Sequence, residues 1–323
     1  MTTDAATPGT RLLSAEPITA PPASLWRTAW RRVFQRRSAI VGMGILGVLV
    51  LTAIFAPLIA PYEPDQILIG IENVKIRQPP CIHLLGCPAD QPQHLMGIDS
   101  NVRDLFSRVV YGARYSLMIG FVAVGFAILV GTLLGAVAGQ FGGSADNGIM
   151  RVMDVLLAFP ALLLAIAIVA VLGPGLINAL LAIGIVSIPI YARVTRASVL
   201  GTREMDYVAA SRALGAGTFT ILFRVVLPNA LTPLIVVATL GIATAILDAA
   251  ALSFLGLGAQ PPTPEWGSML GTDRNQVFTA PHLVFFPGLA IMITVLAFNL
   301  IGDGLRDALD PRLGRKGTKL GEG

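Results

Sequence analysis

Six long apolar stretches constrain this chain more than any other feature of its sequence. They lie at residues 38–60, 115–140, 150–172, 175–195, 229–257 and 282–303. A helix needs about 20 residues to cross about 30 Å of hydrocarbon, and it makes its backbone hydrogen bonds within its own segment, as lipid requires. Barrel strands would instead need alternating segments of about ten residues. The sequence therefore predicts an all-α integral membrane protein with six transmembrane helices.

The scarcity of charge in the same chain excludes a water-soluble globule. Only 13% of the 323 residues are Asp, Glu, Lys or Arg, whereas a soluble domain usually carries about a quarter. A globule of this size would need more charge on its outside. The net charge of +4 would by itself suggest a nucleic-acid partner, but the cations are sorted by segment, which is typical of a membrane protein.

The positions of the cations predict the orientation, because positively charged segments stay in the cytoplasm. We place both termini there, and the segments 61–114 and 258–281 outside. Trp26 and Trp30 alternate with arginines just before the first span, which is typical of an interfacial anchor on membrane lipid rather than of a nucleic-acid patch. The cations on the cytoplasmic side are Arg11, Arg27, Arg31, Arg32, Arg36, Arg37, Arg151, Arg193, Arg196, Arg203, Arg212, Arg224, Arg306, Arg312, Arg315, Lys316 and Lys319.

Two cysteines, Cys81 and Cys87, fall in the long outer segment with His83 and His94 nearby. An oxidising compartment would permit a local disulfide, and clusters of Cys and His can bind metal. The spacing matches no structural zinc pattern. A possible disulfide and two free thiols both stay open at this point, and we assign no metal site.

Motifs for hydrolytic chemistry are missing from the sequence. It contains no Gly-x4-Gly-Lys-Ser/Thr loop, no HExxH and no GxSxG, so the chain is not expected to hydrolyse ATP or to act as an enzyme by itself. We expect no catalytic residue and no bound cofactor. If the protein drives transport, the energy comes from an ion gradient or from a partner.

An ion-driven carrier should show ionisable residues within its spans, since such residues are costly there and mark the coupling path. Asp248 is the only acid deep within a span. It either lines a translocation path or snorkels toward, or pairs with, a neighbouring helix. This near absence of charge argues against an ion-coupled secondary carrier, which often also shows an inverted repeat.

The segment between the fourth and fifth spans is too long for a tight connection. It reads REMDYVAASRALGAGTFTILFRVVLPNALTPL. The sequence predicts a short helix over 206–214 that ends at Gly215, since glycine suits a left-handed stop. A second helix follows, up to Pro228. Such a protruding helix is either a lever for a partner to push or an interfacial helix on lipid.

This segment resembles the coupling loop of the membrane subunits of ABC importers, whose pattern is EAA, three residues, Gly, nine residues, and I-x-L-P. Ala209, Ala210 and Ser211 take the EAA place, with Ala209 where the family has Glu, and Gly215 falls at its expected position. The ATPase-coupling residues that the resemblance implies are Ala209, Ala210, Ser211, Arg212, Gly215, Leu227 and Pro228, with Val225 completing the pattern.

Three further motifs narrow the resemblance to C-type permeases for dipeptides, oligopeptides and nickel. They are HLMGIDSNVRDLFSRVVYGARYSL, LSFLGLGAQPPTPEWGSML and NLIGDGLRDALDPRL, and the resemblance covers roughly residues 27–313. It implies the type I ABC importer permease fold in a bacterial plasma (inner) membrane. The implied partners are a homologous B-type permease in a heterodimer, two ATP-binding subunits that carry ATP and Mg, and an extracytoplasmic peptide-binding protein. The alternative is that the chain is the permease of a nickel importer.

The expected organisation follows from these assignments. A tail at 1–37 with the basic anchor precedes the first span at 38–60 and an extracytoplasmic segment at 61–114. A five-helix core follows at 115–303, with the coupling segment at 201–228, and a cytoplasmic tail at 304–323. The segment 61–112, with Pro262–Met269, is the expected docking side for the binding protein.

Overall fold

The computed structural model describes residues 33–309, and this part of the chain contains helices and isolated bridges but no strand. The predicted basic anchor before residue 33 and the predicted tail beyond residue 309 lie outside the described residues. The helices are α1 (Arg37–Ile54), α2 (Ala56–Ile59), α3 (Leu105–Phe141), α4 (Gly143–Leu157), α5 (Ala161–Leu172), α6 (Leu176–Arg203), α7 (Asp206–Ala213), α8 (Thr218–Ala230, with a π-helical turn at Ile221–Val226), α9 (Thr232–Phe254), α10 (Trp266–Asp273) and α11 (His282–Leu309).

The third predicted span is wrong as a single helix. Five helices of the described chain are long and apolar enough to cross a membrane, namely α1, α3, α6, α9 and α11, and a sixth crossing exists only if α4 and α5 count together. The axes of α4 and α5 differ by 91°. The break falls at Pro160, which lacks an N–H and disfavours helix at the residue before it. The predicted stretch 150–172 therefore combines the end of one helix with the whole of another.

Other helix ends differ from the apolar stretches because helices continue into polar sequence. α3 begins ten residues before 115, where the Asp104 carboxylate accepts a hydrogen bond from the Ser107 N–H and caps the helix. α6 and α11 run on to Arg203 and Leu309. α1 ends at Ile54, and Pro57 stands in the first turn of α2.

The core of the bundle is the close parallel packing of α3 on α6. Gly131, Gly135 and Gly139 lie along one face of α3, and each would place an added Cβ against α6. A Cβ on Gly131 would stand 2.8 Å from the Ile188 carbonyl oxygen. Missing side chains let the two backbones approach this closely. This stripe of small residues is therefore a helix-packing face.

We expect Gly135→Leu to destabilise the protein, because its side chain would collide with the backbone of Ala192 in α6. Overpacking of this kind costs about 1–3 kcal/mol. Gly125→Leu is the matched control, since Gly125 lies on the same helix with nothing within 4 Å of an added Cβ. Thermal denaturation in detergent should show a lower melting temperature for the first variant alone. Equal melting temperatures would contradict this packing.

The bundle has two distinct ends. The cap comprises residues 60–104 and 255–281, and it lies where α3 begins, α9 ends and α11 begins. The coupling end comprises α7, α8 and the last turns of α3 and α6. A hydrogen bond of 3.1 Å from the Gly175 N–H to the Leu257 carbonyl ties the start of α6 to the cap. α4 also reaches the coupling end.

Candidate functional site

The helix α7 carries four of the seven predicted coupling residues and is attached to the bundle by one buried side chain. Val208 is 0% exposed. It packs in a cluster that joins the last turns of α3 and α6 to α8, formed by Ala136, Val199, Val208, Ile221, Leu222, Val226 and Ala230. A motion of α7 would therefore push on the ends of two long helices at once.

The opposite face of α7 is open and built of small residues. Ala209, Ala210 and Arg212 are exposed, while the Ser211 hydroxyl donates back to the Tyr207 carbonyl at 2.8 Å. The small side chains of Ala209 and Ala210 permit close approach of another protein at this point.

Gly215 follows the end of α7 and stops this helix, as the sequence predicts. Its φ of 86° lies in the left-handed region, where a residue with a Cβ is strained. Its N–H donates to the Arg212 carbonyl at 3.0 Å, and the next N–H, of Ala216, donates to the Ser211 carbonyl at 3.2 Å. These bonds satisfy carbonyls left free at the helix end.

The last two predicted coupling residues lie in α8. Leu227 is partly buried against the Val208 cluster, whereas Pro228 is exposed. Around α7 and α8 the molecule exposes large apolar side chains, which are Met205, Tyr207, Leu214, Phe219 and Phe223. Exposed apolar groups gathered in one place are typical of an interaction site.

Arg203 holds this segment to α3, and the sequence analysis missed its role. Its Nη1 donates to the Gly139 carbonyl at 2.7 Å and its Nε to Glu204 at 2.9 Å. Gly139 lies in the last turn of α3, where carbonyls lack helical partners and a cation is favoured. The only sequence signal was an arginine at the start of the coupling segment.

Two ion pairs attach α4 to α6 at the same end. Arg196 contacts both carboxylate oxygens of Asp146, and Arg193 contacts Asp154 at 2.5 Å. The Arg196 pair is bidentate, which adds geometric specificity. These contacts hold α4 against the bundle although its axis departs sharply from that of α5.

Asp248 lies on a face of α9 that the rest of the described chain leaves open. Thr244 and Leu247 on this face are exposed, and Asp248 and Ala251 are partly exposed. Within residues 33–309 the Asp248 carboxylate has no hydrogen bond or ion pair. Both predicted alternatives for Asp248, a translocation path and a neighbouring helix, therefore stay predictions.

The two segments predicted as a docking side come together in the cap. The Arg108 guanidinium, on the first turn of α3, donates to the Pro64 carbonyl at 2.7 Å and to the Pro262 carbonyl at 3.3 Å. Its Nε lies 3.5 Å from Asp99. The indole N–H of Trp266 donates to the Val109 carbonyl at 2.9 Å. Both segments are thus fixed to α3.

A buried acid begins the short cap helix α10. Glu265 accepts hydrogen bonds from the Gly267 and Ser268 N–H groups at 2.9 and 2.8 Å. Burial raises the pKa of Glu265, and these two bonds oppose that rise. The capping bonds give the carboxylate a structural role.

Cys81 and Cys87 are joined by a disulfide, with their Cα atoms 5.4 Å apart. Nowhere in residues 33–309 do three His, Cys, Asp or Glu side chains meet in a way that could hold a metal ion. His83 instead contacts the Gln91 carbonyl at 2.8 Å, and His94 contacts two carboxylates.

Comparisons with known proteins agree with this architecture. Residues 131–315 match the family described as binding-protein-dependent transport system inner membrane component, and residues 24–80 match the N-terminal TM domain of oligopeptide transport permease C. The inward-facing MetNI methionine ABC transporter superimposes with a TM-score of 0.52 at 21% identity, covering 63% of this chain and 96% of that one. That likeness shows the fold of a type I ABC importer permease.

Relatives match almost the whole chain. The dipeptide transport system permease protein DppC of Alkalihalophilus pseudofirmus is 48% identical over 94% of this chain and 97% of its own length. The di/tripeptide permease DppC of Pseudomonas aeruginosa is 48% identical over 93% and 96%. The glutathione transport system permease protein GsiD of Pectobacterium atrosepticum is 43% identical over 89% and 91%. The chain therefore belongs to the binding-protein-dependent inner-membrane transport components, as a multi-pass permease subunit of a bacterial ABC importer.

Proposed function

We propose that this chain forms half of the translocation path of an importer for dipeptides and oligopeptides. The observation that carries the substrate class is the near full-length similarity to permeases named for dipeptides, di/tripeptides and glutathione. Those names favour peptides over the nickel alternative. The ion-coupled secondary carrier gains no support from the family match.

The implied partners are a B-type permease in a heterodimer, two ATP-binding subunits and an extracytoplasmic peptide-binding protein. ATP and Mg belong to the ATP-binding subunits, and this chain supplies no catalytic residue and binds no cofactor. The open face of α7 receives the ATP-binding subunit. The exposed small residues Ala209 and Ala210 support this placement.

Coupling proceeds by rigid motion. The ATP-binding subunits move on binding and hydrolysing ATP, and α7 moves with them. The Val208 cluster transmits that motion to α3 and α6, which the glycine packing makes move as one body. Rigid-body motion of this kind switches a bundle between inward-open and outward-open states.

The cap faces the outside and receives the peptide-binding protein, while both termini and the coupling end face the cytoplasm. The Cys81–Cys87 disulfide supports this orientation, because disulfides persist in oxidising compartments. The cations of the coupling segment also support this orientation, because positively charged segments stay in the cytoplasm.

The open face of α9 lines the path, with Asp248 as its charged group. A carboxylate within a span is costly against lipid and normally faces a cavity or a partner. Asp248→Asn is expected to raise the KM for peptide uptake about tenfold, the equivalent of about 1.4 kcal/mol of lost attraction to the peptide ammonium group.

Uptake of a labelled dipeptide into proteoliposomes measures the effect of Asp248→Asn. The matched control is Thr244→Val, which removes polarity from the same face without removing charge. An unchanged KM would contradict a role in the path. A KM effect shared equally by Thr244→Val would show that charge is not the property that matters.

The proposed function as a whole is tested with the complete importer in proteoliposomes. Dipeptide bound to the binding protein is expected to stimulate ATP hydrolysis and to accumulate inside. Stimulation by Ni²⁺ with indifference to peptides would overturn the substrate class. ATP-independent uptake driven by an ion gradient would overturn the mechanism.

A further inference from the structure

His94 lies inside the cap between two carboxylates. The residue is 1% exposed. Its Nδ1 lies 2.8 Å from Asp104 Oδ1 and its Nε2 lies 3.1 Å from Glu72 Oε2. An ionised carboxylate only accepts hydrogen bonds, and a neutral imidazole has only one N–H. Both contacts are satisfied together when the ring carries two protons and is positively charged.

Both carboxylates also accept hydrogen bonds from other donors. Asp104 Oδ2 accepts from the Ser107 N–H and from the Ser107 hydroxyl, each at 2.7 Å. Glu72 Oε1 accepts from the Tyr62 hydroxyl at 2.6 Å, and the Tyr62 ring centroid lies 5.5 Å from that of His94. Glu72, Asp104 and Tyr62 are the titratable groups that face the imidazole in the described chain.

Burial lowers the pKa of His94, but the hydrogen bonds and charges of Asp104 and Glu72 outweigh it, so its pKa is raised overall. Unfolding or opening of the cap returns the ring to its ordinary pKa, about 6.5. A group with a raised folded pKa stabilises fully below its unfolded value. That stabilisation is lost as the pH rises through the folded pKa.

The imidazole connects two parts of the chain, the disulfide loop of the cap and the first turn of α3. The backbone of His94 pairs with that of Cys81 through hydrogen bonds of 2.9 and 3.0 Å. Cys81 in turn closes the disulfide loop. That loop carries Leu84, which is 94% exposed. On the other side Asp104 is the N-cap of α3, the long helix that reaches the coupling end.

We infer that protonated His94 is a pH-dependent joint, which fastens the disulfide loop of the cap to Glu72 and to the first turn of α3, and which loosens when the ring loses a proton, because a neutral ring can donate to only one of the two carboxylates. His94 is a positioning residue in this role. It sets how firmly the outer surface of the cap is tied to the helix that runs toward Val208. The joint itself stands on the cap geometry, while any effect on uptake rests on the proposed function.

Histidine hydrogen–deuterium exchange at the ring C2 position, read by mass spectrometry over a pH series, tests the joint in the full chain. His94 is expected to titrate above the ordinary histidine pKa of about 6.5. Glu72→Gln should lower the His94 midpoint, because it removes one of the two carboxylates that contact the ring. A His94 midpoint at or below the ordinary value would overturn the proposal.

Amide exchange in the first turn of α3 and at Cys81 gives the second measurement. In the native chain, exchange at these sites should accelerate by up to about tenfold for each pH unit between the ordinary histidine pKa of about 6.5 and the His94 midpoint, beyond the intrinsic pH effect, and should show no extra acceleration above that midpoint, because only in this window does the closed cap hold a proton that the open cap has lost. His94→Gln should abolish this extra dependence, and His83→Gln should preserve it. Retention of the extra dependence in His94→Gln would contradict the joint.

Transport is measured separately on the assembled importer. If exchange changes as expected while uptake fails in the native complex, the joint stands and the proposed function falls. If the native complex imports peptide but exchange shows no His94 dependence, the proposed function stands and the joint falls.

Discussion

Ala210→Asp is expected to reduce ATP-driven peptide uptake at least tenfold while the chain itself stays folded. Residue 210 lies on the open face of α7, away from the Val208 cluster that attaches this helix. A carboxylate placed in a contact with the ATP-binding subunit would be desolvated without a partner. Burying an unpaired charge in an interface costs about 2–5 kcal/mol, which is tenfold or more in binding.

Co-purification measures this effect directly. The ATP-binding subunits should be lost from the complex that contains Ala210→Asp. The melting temperature of the isolated Ala210→Asp chain should be the same as that of the native chain. Asn73→Asp is the matched control, since it introduces the same charge at an exposed residue of the cap. Full assembly and uptake with Ala210→Asp would refute the placement of the ATP-binding subunit on α7.

Gly215→Val probes the same segment through its backbone. A Cβ at residue 215 meets nothing within 4 Å, so only the φ of 86° opposes the substitution. Strain of this kind costs about 1–3 kcal/mol. We expect α7 to lose its defined end and the ATP-binding subunits to bind more weakly. Gly217→Val, two residues on at a negative φ, should bind them normally.

The coupling segment could be predicted from sequence because its signals are local. A glycine three residues after Arg212 ends a short helix whether or not the rest of the fold is known. The same local reasoning led to the wrong prediction of a single helix for the third span. Apolar composition suggested one helix over 150–172, although Pro160 stands within it and disfavours helix at the residue before it. Proline alone does not decide the matter, since Pro189 and Pro287 lie inside α6 and α11.

The cap could not be predicted because its contacts join residues distant in sequence. Glu72 and Asp104 lie 22 and 10 residues from His94, and no helical or strand period relates them. Sequence reasoning placed His94 only in a loose group with two cysteines. Asp248 shows a third case, in which the sequence singles out the residue but no side chain among residues 33–309 pairs with it.

Arg108→Leu is expected to destabilise the cap more than any other single substitution considered. The guanidinium is 5% exposed and is shared by segments from three parts of the sequence, through Pro64, Asp99 and Pro262. Removing it leaves a buried carboxylate with one fewer cation and two carbonyls without a donor. A buried carbonyl left without a donor costs about 1–3 kcal/mol.

The loss should appear in the cap before it appears in the bundle. Amide exchange at residues 61–65 and 259–265 should accelerate in Arg108→Leu, while the α3–α6 packing at Gly131 and Gly139, far along the helix, keeps its protection. Lys75→Leu removes a cation from an exposed position of the same cap and should leave exchange unchanged. Arg103 also contacts Asp99, at 2.8 Å, so Asp99 keeps a cationic partner and the effect of Arg108→Leu falls on the Pro64 and Pro262 segments. Equal protection of these segments in Arg108→Leu and Lys75→Leu would mean that the guanidinium does not hold the two halves of the cap together.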